Sequence, residues 1–161
     1  MVKKLILVRH GKARGTGPGE SDFDRELTDS ARSVLASVDG FMRSFYLLDA
    51  HSASHATIWS SPAVRARQTA DEVDRTLGGD HDVVLVDSLW EQDEDTFISQ
   101  IAATDADCLI AVGHIPFMNN VISRISGVDL ALKPGGIASI DLDDSGVAGA
   151  LEWFVQGPVV D

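Results

Sequence analysis

The stretch Lys3-Lys4-Leu5-Ile6-Leu7-Val8-Arg9-His10-Gly11 decides how this chain folds. Four apolar side chains follow one another without a polar break, a run too short for a helix and too uniform for a strand with one wet face. Lys3 to Val8 therefore reads as a strand buried on both sides, as in a parallel sheet covered by helices. The run ends abruptly on an arginine, a histidine and a glycine. Beyond it, Gly11, Gly15, Gly17, Pro18 and Gly19 with interspersed charges make the segment to Glu26 a long surface loop.

The same strand-then-helix pattern continues outward. Thr28 can cap a helix reaching to about Tyr46, with Ala31, Val34, Leu35, Val38, Phe41, Met42 and Phe45 at helical spacing. Ala56 to Trp59 is a second buried strand. Pro62 suits the first turn of the following helix, which Gly78-Gly79 stops. Val83 to Val86 is a third strand, Asp93 to Ala103 a helix, Cys108 to Val112 a fourth strand, and Pro116 to about Ile125 a helix. Two strands, Ile137 to Leu142 and Ala148 to Val155, close the chain as a hairpin across Asp144-Ser145-Gly146. The expectation is an α/β protein, a three-layer α/β/α sandwich with a mostly parallel sheet and a C-terminal antiparallel hairpin. Its 161 residues, 44% of them hydrophobic, suit a single domain over 1–161.

Composition narrows the function. Asp and Glu number 25 against 13 Lys and Arg, a formal net charge of −12 that argues against nucleic acid and anionic membrane as partners. An anion site on such a protein needs a concentrated local patch of positive charge. The start of the chain lacks the pattern of a secretion signal, and no run reaches the roughly 20 apolar residues of a bilayer span, so the expectation is a cytoplasmic protein. Cys108 is the single cysteine and sits in the apolar run Cys108-Leu109-Ile110-Ala111-Val112, where it reads as a small buried hydrophobe. No metal and no cofactor are expected: there is no P-loop, no dinucleotide fingerprint and no compact ligand cluster.

In parallel sheets ligands bind beyond the carboxyl ends of the strands, and the unusual polar residues fall there. Arg9-His10-Gly11 follows the first strand, Ser60, Ser61 and Arg65 the second, Glu91 the third, and Gly113-His114 the fourth. A histidine fixed by a strand and facing an open site can attack phosphorus, although His10 alone could equally cap the strand end. Arg9 and Arg65 offer two guanidinium forks for the oxygens of one phosphoryl group. Arg65 and Arg67 cannot share one helical face closely, so only one enters a pocket, and Arg67 reads as an exposed helix arginine. His114 can orient the phosphate. Glu91 is either a proton donor to the leaving group or a solvent-facing acid of the run Glu91-Gln92-Asp93-Glu94-Asp95. Ser60 or Ser61 either donates a hydrogen bond to phosphate or caps the helix begun by Pro62. His51, His55 and His81 lie in polar connections and read as surface residues.

Three separated motifs carry a family resemblance: Leu7-Val8-Arg9-His10-Gly11, then Ser60-Ser61-Pro62-Ala63-Val64-Arg65-Ala66-Arg67-Gln68-Thr69-Ala70, then Val112-Gly113-His114-Ile115-Pro116. With them the chain resembles the histidine phosphatase superfamily of phosphoglycerate mutase-like fold, and most the short bacterial protein-phosphohistidine phosphatase branch. The resemblance implies that His10 is the phosphorylated histidine, Arg9 and Arg65 the phosphate-binding arginines and His114 the second histidine of the pocket. Glu91 stands near the proton donor of longer members. Ser30 stands where relatives commonly place a glycine after Leu-Thr, which bears on helix entry more than on chemistry. The short connection from Ala70 to Glu91 leaves little room for the insertion that encloses sugar phosphates in mutases.

These readings converge on metal-independent hydrolysis of protein phosphohistidine through a phospho-His10 intermediate. A small-metabolite or general phosphomonoesterase is the alternative enzyme, and a non-catalytic phosphate-recognition protein the alternative outside catalysis. The partner is then a phosphohistidine-bearing protein domain or a small phosphoester, and the protein a monomer or weak homodimer.

Overall fold

The apolar run after Lys3 becomes β1 (Lys4–Arg9), an interior strand whose residues Leu5 to Val8 are fully buried. The computed structural model describes residues 1–157. Along the chain follow α1 (Asp29–Ala36), α2 (Ala50–His55), β2 (Thr57–Ser60), α3 (Val64–Thr76), β3 (Val83–Leu85), α4 (Asp87–Glu91), α5 (Glu94–Ala103), β4 (Cys108–Gly113), α6 (Phe117–Ser126), β5 (Ile137–Leu142) and β6 (Gly149–Val155). The six strands form one sheet in the order β3-β2-β4-β1-β5-β6. Strands β3, β2, β4 and β1 run parallel, while β5 and β6 add an antiparallel hairpin.

Both sheet faces are covered because alternate residues of each inner strand point opposite ways. Leu5, Leu7, Trp59, Leu109 and Ala111 pack with Leu89, Phe97, Phe117, Met118 and Val121 from α4, α5 and α6. Ile6, Val8, Ile58, Ile110 and Val112 pack on the other side with Leu35, Phe41, Ala66, Ala70 and Val73. Cys108 belongs to this second cluster, and burial pushes its thiol up to about 11.

Several elements differ from the sequence expectation. The helix capped by Thr28, whose Oγ1 accepts from the Ala31 N–H at 3.0 Å, stops at Ala36 instead of reaching Tyr46. Ser37 is extended, and its hydroxyl donates to the Val34 carbonyl at 2.7 Å. The chain resumes as a wide turn, Val38–Met42, with Gly40 in a non-helical conformation. A Cβ on Gly40 would overlap the Val34 and Leu35 carbonyls, so only glycine allows the backbone this close and lets Phe41 and Phe45 enter the core. Helical spacing survives such a break, which is why periodicity alone does not reveal it. The helix after Ser61 begins at Val64, two residues beyond Pro62. The short helices α2 and α4 lie where only connections were expected. His81 is also not a surface residue: its side chain is 5% exposed, with Nδ1 3.0 Å from Asp74 Oδ1 and Nε2 2.7 Å from the Ala53 carbonyl. It ties α2 to α3.

Candidate active site

At the carboxyl edge of the parallel strands, the end of β1 is locked before His10 begins. The His10 N–H donates to the Gly113 carbonyl at 3.0 Å, so the ends of β1 and β4 are pinned together. The Gly11 N–H donates to Thr69 Oγ1 at 3.1 Å, and that hydroxyl donates to the Arg65 carbonyl at 2.8 Å. A side chain at Gly11 would come within 2.9 Å of Leu35 Cδ1, so glycine lets α1 pack close behind the histidine.

The His10 ring has one defined tautomer. Its Nδ1 lies 2.6 Å from the Gly11 carbonyl, which can only accept, so Nδ1 carries the proton. The lone pair is left on Nε2, which Arg65 Nε approaches at 3.3 Å. Burial lowers the His10 pKa to about 3; the Gly11 carbonyl opposes the shift, and the charges of His114, Arg65 and Arg9 add to it. At neutral pH this is an uncharged, oriented imidazole, the form a nucleophile needs.

The ring of His114 stands 5.1 Å from that of His10 at 62°. Its Nε2 is 2.8 Å from Ser61 Oγ, and Nδ1 has no partner among the described residues. Burial, then the charge of Arg65, brings its pKa to about 4. Arg9 donates from Nη1 to the Leu132 carbonyl at 2.8 Å while its buried Nε has no partner among the described residues. Arg65 is 4% exposed and spans from His10 to the loop after β1: Nη1 donates to the Asp22 carbonyl at 2.6 Å and Nη2 to Asp22 Oδ2 at 3.2 Å. The cavity around these groups measures about 660 Å³ and is lined by the cations of Arg9, Lys12, Arg25 and Arg65, with Asp22 as its carboxylate. A local positive basin is thereby built on a chain of net charge −12. Among the described residues no group of three or more His, Cys, Asp or Glu is placed to hold a metal ion.

The structure brings Arg9, His10, Arg65 and His114 to one cavity, and leaves Glu91 and Ser60 outside it. Glu91 is exposed and lines a neighbouring acidic groove with Asp93, Glu94, Asp95 and Arg124. Helix α4 explains the correction: successive helical residues point about 100° apart, so Trp90 and the left-handed Gln92 line the cavity while Glu91 turns away. Ser60 is fully buried and donates to the Ser61 carbonyl at 2.9 Å, so Ser61, not Ser60, touches His114. Arg67 is exposed on α3. Sequence reasoning passed over Lys12, Asp22, Arg25 and Gln92. The contact of Asp22 with Arg65 crosses 43 residues and has no periodic signature; only the charged tripeptide Asp22-Phe23-Asp24 in a glycine-rich loop hinted at it.

The two histidine shifts carry a stability consequence. An unfolded histidine takes up a proton near pH 6.5, whereas folded His10 and His114 resist protonation down to about 3 and about 4. The unfolded chain thus binds more protons below pH 6.5, and stability present above that pH is lost as the pH falls towards 4. The loss approaches about 1.4 kcal/mol per pH unit for each histidine. Thermal unfolding followed from pH 7 to 5 is expected to show a falling midpoint, with a shallower fall in His10→Ala. An equal slope in both proteins would contradict the assignment.

Comparison with known proteins follows the same residues. The sequence profile of the histidine phosphatase superfamily (branch 1) matches residues 5–98. No curated relative matches the chain. The structure is similar to that of a protein designated phosphohistidine phosphatase SixA from Agrobacterium tumefaciens, with TM-score 0.77 and 26% identity over 96% of this chain and 98% of that one. The protein histidine phosphatase SixA complexed with tungstate gives TM-score 0.74 and 19% identity, covering 94% and 96% of the two chains. A SixA designated from Nakamurella multipartitia gives TM-score 0.73 and 20% identity over 98% and 97%. At these last identities the likeness is one of fold. Similar in structure to these SixA proteins, and with the profile covering more than half its length, the chain belongs to the histidine phosphatase superfamily (branch 1).

Proposed function

We propose that the protein hydrolyses phosphohistidine on a protein partner, without a metal, by way of phospho-His10. The observation that carries this reading is the Nδ1 contact of His10 with the Gly11 carbonyl at 2.6 Å, which leaves a neutral Nε2 facing a basin of arginines. In the first step the Nε2 lone pair attacks phosphorus and the P–N bond of the substrate breaks, its electrons leaving on an imidazole that takes a proton from solvent. In the second, water attacks the phosphorus of phospho-His10, releasing inorganic phosphate and restoring the imidazole. Arg9 and Arg65 offset the charge that spreads over the equatorial oxygens in both steps. Among the described residues no helix is long and apolar enough to cross a membrane; a cytoplasmic setting is part of this proposal.

The substrate class is supported by the site's acids. A serine or sugar ester expels an alkoxide that needs a placed proton donor, whereas an imidazole leaving group is protonated by water. Glu91, the candidate donor, lies outside the cavity, and the Asp22 carboxyl is drawn into ion pairs. Values of kcat/KM for a phosphohistidine protein, a phosphoserine peptide and small phosphoesters test the proposal, with a chelator present throughout. The phosphohistidine protein is expected to be preferred by about 100-fold or more, the scale of one missing general acid, and Glu91→Gln to change any of these rates by less than about threefold, as an exposed side chain should. Preference for the esters would favour a phosphomonoesterase, and a large Glu91→Gln effect would restore that residue as proton donor.

A further inference from the structure

An anion site gains nothing obvious from a carboxylate, yet Asp22 lines this one among four cationic side chains. Its placement is specific. Oδ2 and the main-chain carbonyl accept from Nη2 and Nη1 of Arg65 at 3.2 and 2.6 Å, and Oδ1 accepts from Arg25 Nε at 2.8 Å. A guanidinium carries five N–H groups in a rigid fork. The Asp22 turn holds the two outer nitrogens, so the Nε edge is turned to His10 Nε2 at 3.3 Å.

A second contact holds the same guanidinium. Arg65 Cζ lies 5.7 Å from the centre of the Trp90 ring, and Phe23, next to Asp22, meets Trp90 edge-on at 5.1 Å. The turn itself is anchored: the Arg14 N–H donates to the Glu26 carbonyl at 2.9 Å, and the Arg14 side chain pairs with Glu20 at 2.9 Å. One short turn, Asp22–Asp24, therefore grips Arg65 by its outer nitrogens and braces the aromatic ring over which its guanidinium lies.

We propose that Asp22 is the positioning residue of Arg65, aiming the guanidinium at the transition state while weakening ground-state phosphate binding. This rests on the reading of His10 as nucleophile. A fixed negative charge repels a resting phosphate dianion, whereas an oriented N–H beside the nucleophile gains most as charge spreads onto the equatorial oxygens. Burial opposes ionisation of Asp22, but Arg65 and Arg25 outweigh it and hold the carboxyl below the usual carboxylate range. Its side chain is 59% exposed, so water screens the repulsion and keeps the effect modest.

The test compares Asp22→Asn, Asp22→Ala and Asp24→Asn in the full chain, by calorimetric titration with inorganic phosphate and by steady-state turnover. Asp22→Asn keeps an acceptor oxygen and loses the charge; Asp22→Ala loses both; Asp24→Asn removes a charge from the same turn without touching Arg65. Both Asp22 variants are expected to bind phosphate about 3- to 10-fold more tightly, and Asp22→Ala to lose about 10-fold or more in kcat. Asp24→Asn should do neither. A purely structural turn would weaken phosphate binding and turnover together, and that result overturns the proposal, as does unchanged kcat in Asp22→Ala or equal tightening in Asp24→Asn. Phosphate titration needs no turnover, so it judges the charge of Asp22 even if the wild-type protein forms no phospho-His10, an outcome that would overturn the proposed function instead.

Discussion

Replacing His10 by Ala is expected to abolish turnover, lowering kcat by about 10,000-fold or more, because it removes the atom that accepts the phosphoryl group. No other imidazole stands at the end of β1. The nearest imidazole, His114, has its ring 5.1 Å away and its Nε2 engaged with Ser61 Oγ at 2.8 Å. The wild-type protein mixed briefly with a labelled phosphohistidine protein should retain phosphate through an alkaline quench and lose it in acid, the behaviour of a phosphoramidate. His10→Ala should retain none, while still binding inorganic phosphate through Arg9, Arg65 and His114. Label that persists in His10→Ala would place the intermediate elsewhere. The folded protein is little strained by the change, since His10 is held by its main chain to Gly113 and its side chain bonds only locally and to Arg65.

The second large effect belongs to Arg65. Arg65→Ala is expected to lower kcat by about 100- to 1,000-fold, the range for one oriented donor at developing charge. Arg67→Ala should stay within about threefold, as expected for an exposed residue away from the site. The contrast arises from two residues on one helix. Arg65 is 4% exposed and reaches His10, whereas Arg67 is exposed. Arg65→Lys separates charge from geometry: an ammonium keeps the charge but cannot hold Asp22 and His10 through separate nitrogens, so most of the loss should remain. Unfolding midpoints measured beside the rates distinguish a catalytic loss from a folding defect. Equal losses from Arg65→Ala and Arg67→Ala in well-folded proteins would remove Arg65 from the transition state.

A third lever is pH. His10 and His114 are neutral down to about 3 and about 4, so neither titrates in the range where the enzyme would work. Any fall in kcat/KM between pH 8 and 6 therefore has its origin in the substrate phosphate or the leaving group, and the pH dependence should follow the substrate used.

How much of this was legible in the sequence depends on the range over which each cause acts. Buried strands are written locally: Leu5 to Val8 and Cys108 to Val112 are apolar runs that fit only the middle of a covered parallel sheet, and they are its two central strands. Because ligands sit beyond the ends of such strands, Arg9, His10, Arg65 and His114 could be placed at one edge before any coordinate was known. The break in the long helix was not legible in that way. Its apolar spacing continues through Val38, Phe41 and Phe45, and only the packing of Gly40 against the Val34 and Leu35 carbonyls shows that the chain turns there.

By itself the sequence determined the layers, the parallel sheet with its closing hairpin, and four of the cationic and imidazole groups that share the cavity, Arg9, His10, Arg65 and His114, because hydrophobic burial and strand-end placement are read from neighbours along the chain. Only the tertiary structure decided which acid enters that cavity. Helix α4 is too short to announce itself by periodicity, and its rotation turns Trp90 inward and Glu91 outward. Asp22 comes from a glycine-rich loop whose path is set by contacts with Arg65 and Trp90 across tens of residues. The orientation of a side chain in a loop depends on what the rest of the fold brings to meet it, and no local pattern of residues encodes that.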